Sequence, residues 1–249
     1  MLVDLYGRGY SDGVSDKHPY DVGLFTTQLA ELLLHVSART NGRSTSAIHI
    51  IGTSMGGATS VRFAQLHPTL VKSLTVACPA GLPWQMPGIA KIVKWPGVGE
   101  MLMSMASKSA TAKNTAKAYC DHTVQGAKQH WEATVERTER LGKLHPGFGP
   151  AFLSTVRNFE MHALEDSYAA VGKSSLPILL LWGKEDVVVP FATHQLALKY
   201  FPNAEFVPLD HCGHVDFFCV PAIQQLFHTA VAAHLSKVNA AEQASSVPL

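Results

Sequence analysis

Short apolar runs alternate with amphipathic segments along most of the chain, a pattern typical of α/β proteins whose strands run parallel. The apolar runs that predict buried strands cover residues 1–5, 48–51, 71–78, 176–182 and 204–209. The segments with helical spacing cover residues 25–38, closed by Asn41 and Gly42, and residues 59–66, 193–200 and 221–237. Right-handed crossovers between successive strands would place these helices against a parallel sheet. We therefore predict an α/β fold.

The pattern changes between Pro79 and about Gly172, where tryptophans, methionines and isoleucines crowd a stretch broken by prolines. We predict a helical cap here, with helices through residues 131–140 and 149–163. The predicted organisation is a first part of the core at 1–82, the cap at 83–172, a second part of the core at 173–237 and a disordered tail at 238–249. The cap residues either line a lid for an apolar substrate, touching a membrane through Trp and Lys side chains, or pack the cap onto the core.

Composition narrows the functional classes. The chain has 249 residues, of which 47% are hydrophobic, enough for one sizeable core. A formal net charge of +1 without a Lys/Arg stripe argues against nucleic acid as a partner. The scattered cysteines, at positions 78, 120, 212 and 219, predict neither a disulfide framework nor a metal site, which favours a reducing compartment. No signal peptide or membrane-spanning run is recognisable, so we predict a cytoplasmic protein, with peripheral membrane contact through the cap as an option.

One motif between a predicted strand and a predicted helix carries the candidate chemistry. Gly52-Thr53-Ser54-Met55-Gly56 is a G-x-S-x-G sequence, and Gly57 follows it. A serine at such a sharp turn projects its hydroxyl above the sheet, and the flanking glycines relieve crowding around it. The Met55 N–H at the start of the helix would then face an oxyanion. The alternative is an ordinary glycine-rich turn whose serine only caps the helix.

A nucleophilic serine needs a base, and the base needs a carboxylate to hold its tautomer. In open α/β sheets these partners lie on loops after the strands. Asp186 follows the strand at 176–182 and His214 follows the strand at 204–209, so the chain order is Ser, Asp, His. Glu185 is the nearest rival as the acid, and His211 is the rival as the base.

Five segments resemble the α/β-hydrolase superfamily in order and spacing. They read VDLYGRGYSD, HIIGTSMGGATS, LTVACPAGL, LLLWGKEDVVVP and LDHCGHVDFF. Within that superfamily, GTSMGG followed by CPAGL is most similar to the monoacylglycerol lipase branch of the α/β-hydrolase-domain proteins. The resemblance implies a serine hydrolase that forms an acyl-enzyme without a cofactor or metal. It also implies Ser54 as nucleophile, Asp186 as acid, His214 as base and the Met55 amide in the oxyanion hole.

The sequence departs from the family in one respect. The family places further strands before VDLYGRGYSD and takes a second oxyanion donor from a His-Gly loop, and the sequence contains no His-Gly dipeptide. We therefore expect an N-terminally truncated chain whose sheet lacks its first strands. Two hypotheses follow. The first is an esterase acting on a small-molecule ester, such as a monoacylglycerol-like lipid, and the second is a catalytically weak hydrolase-fold protein that acts as a binding module.

Overall fold

A computed structural model of the chain describes residues 1–14, 18–39, 47–85, 94–104, 108–145 and 147–245. Within these residues four strands form one sheet: β1 (Ile48–Thr53), β2 (Val71–Ala77), β3 (Ile178–Gly183) and β4 (Glu205–Leu209). The spatial order is β1-β2-β3-β4 and every pairing is parallel. All four carboxyl ends therefore share one edge of the sheet, where the loops that follow them converge.

The burial of each strand follows from its place in the sheet. All six residues of β3 are buried, so both faces of this central strand are covered. β1 and β4 border the described sheet and are less buried, with Ile51 of β1 49% exposed. Pro208 lies in β4, where the missing backbone N–H is tolerated because edge strands need fewer ladder hydrogen bonds.

The described helices pack around this sheet. In chain order they are α1 (Val22–Arg39), α2 (Met55–Leu66), α3 (Val98–Ser104), α4 (Lys108–Ala116), α5 (Ala127–Leu144), α6 (Phe148–Asn158), α7 (Glu165–Gly172), α8 (Thr193–Tyr200) and α9 (Pro221–Ser245). Helix α2 contacts α7, α7 contacts α8, and α1 packs on α2. Because successive right-handed crossovers lead in one direction, these helices share one face, and α9 covers β2, β3 and β4 from the other. The predicted α/β architecture is confirmed.

The first segment differs from its prediction. Residues 1–5 form no strand, and Leu2 is fully exposed. Their polar groups bond instead to a helix and a turn: the Asp4 carbonyl accepts from Gln28 Nε2 of α1 at 3.2 Å, and the Asp4 carboxylate accepts from the Tyr10 amide at 3.0 Å. An apolar run becomes a strand only where a neighbouring strand pairs with it, and none of the described strands does so here.

The cap region divides into two parts. Helices α3 to α6 lie between β2 and β3 within the segment predicted as a cap, and two of them match the helices predicted through residues 131–140 and near 149–163. Helix α7 instead packs on α2 and α8 of the core layer, with Tyr168 fully buried. The end of the predicted cap therefore contributes to the core. The predicted cap residues Met86, Ile89, Ile92, Val93 and Met105, and the helix-closing Asn41 and Gly42, lie outside the described residues.

The last helix is longer than the sequence pattern indicates. We expected α9 to end near Lys237 and a disordered tail to follow, whereas α9 continues to Ser245. Residues 238–245 are rich in alanine, which has the highest helix propensity, and this explains the extension. None of the described helices is long and apolar enough to cross a bilayer.

Candidate active site

Ser54 lies in a strained turn between β1 and α2. Its backbone has φ 53° and ψ −121°, a region that non-glycine residues adopt only when the surroundings impose it. The neighbouring strand supplies that constraint. The Ser54 amide donates to the carbonyl of Ala77 at 3.0 Å, and the Ser54 carbonyl accepts from the amide of Ala80 at 3.0 Å. Two hydrogen bonds, one to the end of β2 and one to the loop after it, thus fix the serine at the edge of the sheet.

The glycines of the motif have different roles. A Cβ on Gly52 would lie 2.5 Å from the Gly56 carbonyl oxygen and 2.5 Å from Ser60 Oγ, so no side chain fits there. A Cβ on Gly57 would lie 2.8 Å from Pro79 Cβ. A Cβ on Gly56 meets nothing within 4 Å. The expectation that both flanking glycines relieve crowding therefore holds at Gly52 and not at Gly56.

Asp186 and His214 form a buried pair after β3 and β4. His214 Nδ1 lies 2.7 Å from Asp186 Oδ2, and the two residues are 6% and 4% exposed. The other carboxylate oxygen accepts hydrogen bonds from the amides of Val188 and Val189, at 2.8 and 3.0 Å. Because Nδ1 faces a carboxylate, the imidazole carries its proton there, and Nε2 remains a free acceptor.

The rival residues lie elsewhere. His211, the rival base, is exposed and adopts a positive φ of 53°. The carboxylate of Asp186 bonds His214 instead. Glu185 accepts from the Cys212 amide at 2.8 Å through its side chain, while its own amide donates to the Cys212 carbonyl at 3.0 Å. The rival carboxylate therefore ties the loop after β3 to the loop after β4.

Ser54, Asp186 and His214 thus lie on three loops at one edge of the sheet. The structure joins Asp186 to His214, and within the described ranges Ser54 Oγ makes no hydrogen bond to His214. Such contacts are often long without substrate and shorten when it binds. Met55 is the first residue of α2, so its amide has no partner within the helix and remains available to an anion.

Asp216 holds the histidine loop against the segment between α4 and α5, a role that the sequence analysis missed. It is 1% exposed, and its Oδ2 accepts from the amides of Gly213 and Cys120, at 2.6 and 2.7 Å. The His214 amide donates to the carbonyl of Ala118 at 2.7 Å. Burial raises the pKa of Asp216. A carboxylate two residues after the candidate base was the only sequence feature that could have indicated this role.

Cys78 is a second residue that the sequence analysis missed. It follows β2, so Ser54, Cys78, Asp186 and His214 come after β1, β2, β3 and β4 in order. The residue is completely buried, and its sulfur lies within 4.8 Å of a carboxylate oxygen of Asp186. Burial, followed by the charge of Asp186, raises the pKa of Cys78 well above its usual value. The buried thiol therefore remains protonated and neutral beside the acid.

Comparison with known proteins places this arrangement in a family. The family model described as serine aminopeptidase, S33, matches residues 1–215, which include all three candidate catalytic residues. The chain belongs to the S33 serine aminopeptidase family. Its sheet and the structural likeness below make this S33 protein an α/β-hydrolase, as predicted from its motifs.

Monoacylglycerol lipases are among the relatives of this S33 protein, which confirms the predicted branch. It is 23% identical over 185 residues to a monoacylglycerol lipase of Xenopus laevis, covering 73% of this chain and 53% of the relative. It is 24% identical over 177 residues to a monoacylglycerol lipase of Homo sapiens, covering 67% and 49%. The chain therefore spans about half the length of these curated relatives.

A solved structure supports the fold. An α/β-hydrolase enzyme from a Medee basin deep-sea metagenome library superposes with a TM-score of 0.70 at 19% identity. The match covers 94% of this chain and 78% of that enzyme. Family and fold together place the chain among the α/β-hydrolases, and its curated relatives include lipases.

Proposed function

We propose that the chain is a serine hydrolase that cleaves carboxylic esters through an acyl-enzyme. The observation that carries the proposal is the buried 2.7 Å contact between Asp186 and His214, on loops beside the strained turn of Ser54. A carboxylate that holds Nδ1–H leaves Nε2 free to accept a proton from a serine hydroxyl. A buried histidine without a carboxylate at Nδ1 would not have its ring oriented in this way.

Each group has a defined step in the reaction. His214 Nε2 takes the proton of Ser54 as Oγ attacks the ester carbonyl, and Asp186 stabilises the imidazolium that forms. The Met55 amide donates to the tetrahedral oxyanion. The imidazolium then gives its proton to the departing alcohol, which leaves an acyl group on Ser54. Water, deprotonated by His214, hydrolyses this acyl-enzyme, and the serine regains its proton.

The proposed substrate is a monoacylglycerol-like lipid ester. The relatives from Xenopus laevis and Homo sapiens carry the name monoacylglycerol lipase, and this supports the choice. The cap also presents apolar side chains to solvent, with Trp95 63% and Met101 53% exposed. Large exposed apolar groups are suited to binding acyl chains or a lipid surface.

A panel of substrates tests the proposal, with hydrolysis of each substrate measured by the same method. Monoacylglycerols, short water-soluble esters and an amino-acid amide are incubated with the wild type and with the Ser54→Ala and His211→Ala variants. We expect the highest kcat/KM on a monoacylglycerol. The Ser54→Ala change should lower it by at least about a thousandfold, since loss of the nucleophile removes covalent catalysis. His211→Ala is the matched control, because His211 is exposed and lies on the same loop as the candidate base His214.

Three outcomes would contradict parts of the proposal. A higher kcat/KM on the amide than on the esters would show that the substrate is peptide-like and not an ester. Equal activity of the wild type and Ser54→Ala would remove the nucleophile. Binding of the lipid without turnover by the wild type would favour the binding-module hypothesis.

A further inference from the structure

Three metal-ligating side chains meet at the candidate acid and base. Cys78 Sγ, a carboxylate oxygen of Asp186 and a ring nitrogen of His214 all lie within 4.8 Å of one another. All three residues are buried. Three atoms with these separations have a common point about 2.8 Å or less from each, and zinc bonds of about 2.0 to 2.3 Å require only small side-chain shifts from there.

The backbone fixes the thiol in this position. Cys78 adopts a φ of 45°, and its amide donates to the carbonyl of Leu181 in β3 at 2.9 Å. The sulfur is therefore held against the loop that carries Asp186 before any ion binds, so little ordering is needed on binding.

The chemistry of the three ligands selects the ion. A thiolate, an imidazole and a carboxylate are the ligands of zinc, whereas magnesium and calcium prefer oxygen alone. Soft thiolate ligation also favours cadmium, a larger ion of the same class. Three protein ligands leave a fourth tetrahedral position for water. We propose that Cys78, Asp186 and His214 form an inhibitory site for a thiophilic divalent cation of the zinc class.

Binding and catalysis exclude each other at this site. The cation takes the lone pair of His214 Nδ1, the proton that Nδ1 shared with Asp186 moves to Nε2, and the Cys78 thiol releases its proton to solvent. Because Nε2 then carries a proton and has no lone pair, His214 no longer accepts the proton of Ser54. The inhibition rests on the proposed hydrolase function, while the binding of the ion does not.

The other cysteines provide matched controls. Cys120 is exposed and Cys219 is half-buried, whereas Cys212 is buried and directs its thiol to the Gly213 carbonyl at 3.3 Å. Within the described part of the chain, none of them belongs to a group of three such ligands. A reference protein with Cys120→Ser and Cys219→Ser removes the accessible thiols and keeps Cys78 and Cys212.

Cadmium titration of this reference protein tests the proposal, because cadmium–thiolate bonds absorb in the ultraviolet. We expect the absorption to saturate at one cadmium per chain. It should disappear on adding Cys78→Ser and persist on adding Cys212→Ser. His214→Ala should weaken binding by at least about tenfold, since losing a ligand costs no less than losing a supporting contact. Zinc in excess should displace the cadmium.

The proposal is overturned if the reference protein shows no thiolate absorption up to millimolar cadmium. It is also overturned if the absorption survives Cys78→Ser, or if His214→Ala binds as tightly as the reference. Circular dichroism monitors folding, and should Cys78→Ser not fold, His214→Ala and Asp186→Asn supply the same comparison. Zinc inhibition of ester hydrolysis that is absent in Cys78→Ser supports the inhibitory role. Thiolate absorption in a protein without hydrolase activity supports the metal site and rejects the proposed function.

Discussion

At the residue scale, the site depends on a serine backbone that its neighbours hold in an unfavourable conformation. A non-glycine residue in such a region costs about 1 to 3 kcal/mol, which the surrounding structure must offset. Here the two hydrogen bonds that Ser54 makes with Ala77 at the end of β2 and with Ala80 in the loop after it provide the constraint. The strain therefore lies where β1 and β2 meet, and the fit around Gly52 determines whether the turn can form.

Replacing Gly52 with alanine tests this fit. The new Cβ would meet the Gly56 carbonyl at 2.5 Å, so we expect the free energy of unfolding to fall by about 1 to 3 kcal/mol, as overpacking does. Gly56→Ala is the matched control, because its Cβ has free space within α2 and should be neutral or stabilise by up to about 1 kcal/mol. Denaturant unfolding measures both. Equal effects of the two changes would contradict the steric account.

The raised pKa of Asp216 leads to a prediction of how the stability of the protein depends on pH. Burial raises its pKa above the unfolded value of about 3.9, so the folded state binds this proton more tightly than the unfolded state does. The resulting stabilisation is complete below the unfolded pKa and is lost as the pH rises through the folded pKa. Asp216→Asn keeps an oxygen that can accept from the amides of Gly213 and Cys120 but does not titrate.

We therefore expect the unfolding free energy of the wild type to decline relative to that of Asp216→Asn as the pH rises from about 4 towards neutrality. Denaturant unfolding at a series of pH values in one buffer system measures this difference. The plots of unfolding free energy against pH should have different slopes for the wild type and the variant. The same slope in both proteins would show that Asp216 does not titrate in this range.

At the scale of elements, α7 connects the core helices to the loop that follows β2. Tyr168 of α7 is fully buried, and its hydroxyl donates to the carbonyl of Ala80 at 2.7 Å. Ala80 also donates its amide to the Ser54 carbonyl. A helix that the sequence pattern assigned to the cap therefore supports the loop that holds the candidate nucleophile.

Tyr168→Phe tests this connection. Loss of the hydroxyl leaves the buried Ala80 carbonyl without its donor, so we expect the protein to lose about 1 to 3 kcal/mol of stability. Tyr200→Phe is the matched control: its hydroxyl bonds Glu165 in an exposed position, where the same change should cost about 0.5 kcal/mol or less. Thermal or denaturant unfolding distinguishes the two variants. Similar losses would show that burial of the bond does not matter.

At the scale of the whole molecule, the sequence predicted the parallel sheet and most of its helices because hydrophobic periodicity reports local burial. It placed Ser54, Asp186 and His214 on loops, since a motif and the ends of strands are local features. It misassigned residues 1–5, because pairing of a strand depends on what lies beside it. Cys78 and Asp216 were missed for the same reason: their contacts join residues distant in sequence.

The border of the sheet also leads to a prediction. Within the described residues β1 pairs only with β2, and Ile51 is 49% exposed there. An apolar edge strand promotes pairing between molecules, and a lysine blocks it. Sedimentation velocity should therefore show less self-association for Ile51→Lys than for the wild type. Leu34→Lys, which replaces a 71% exposed leucine on helix α1, should associate as the wild type does. Equal association of all three proteins would reject the edge as the contact.

The central claim is that the Asp186–His214 pair activates Ser54. Mass spectrometry after treatment with a fluorophosphonate tests it most directly, because the reagent bonds only to activated serines. The account predicts one adduct, on the peptide containing Ser54, which is absent in Ser54→Ala and forms at least about a thousandfold more slowly in His214→Ala. An unmodified Ser54 in the wild type, or labelling at the same rate without His214, would contradict it.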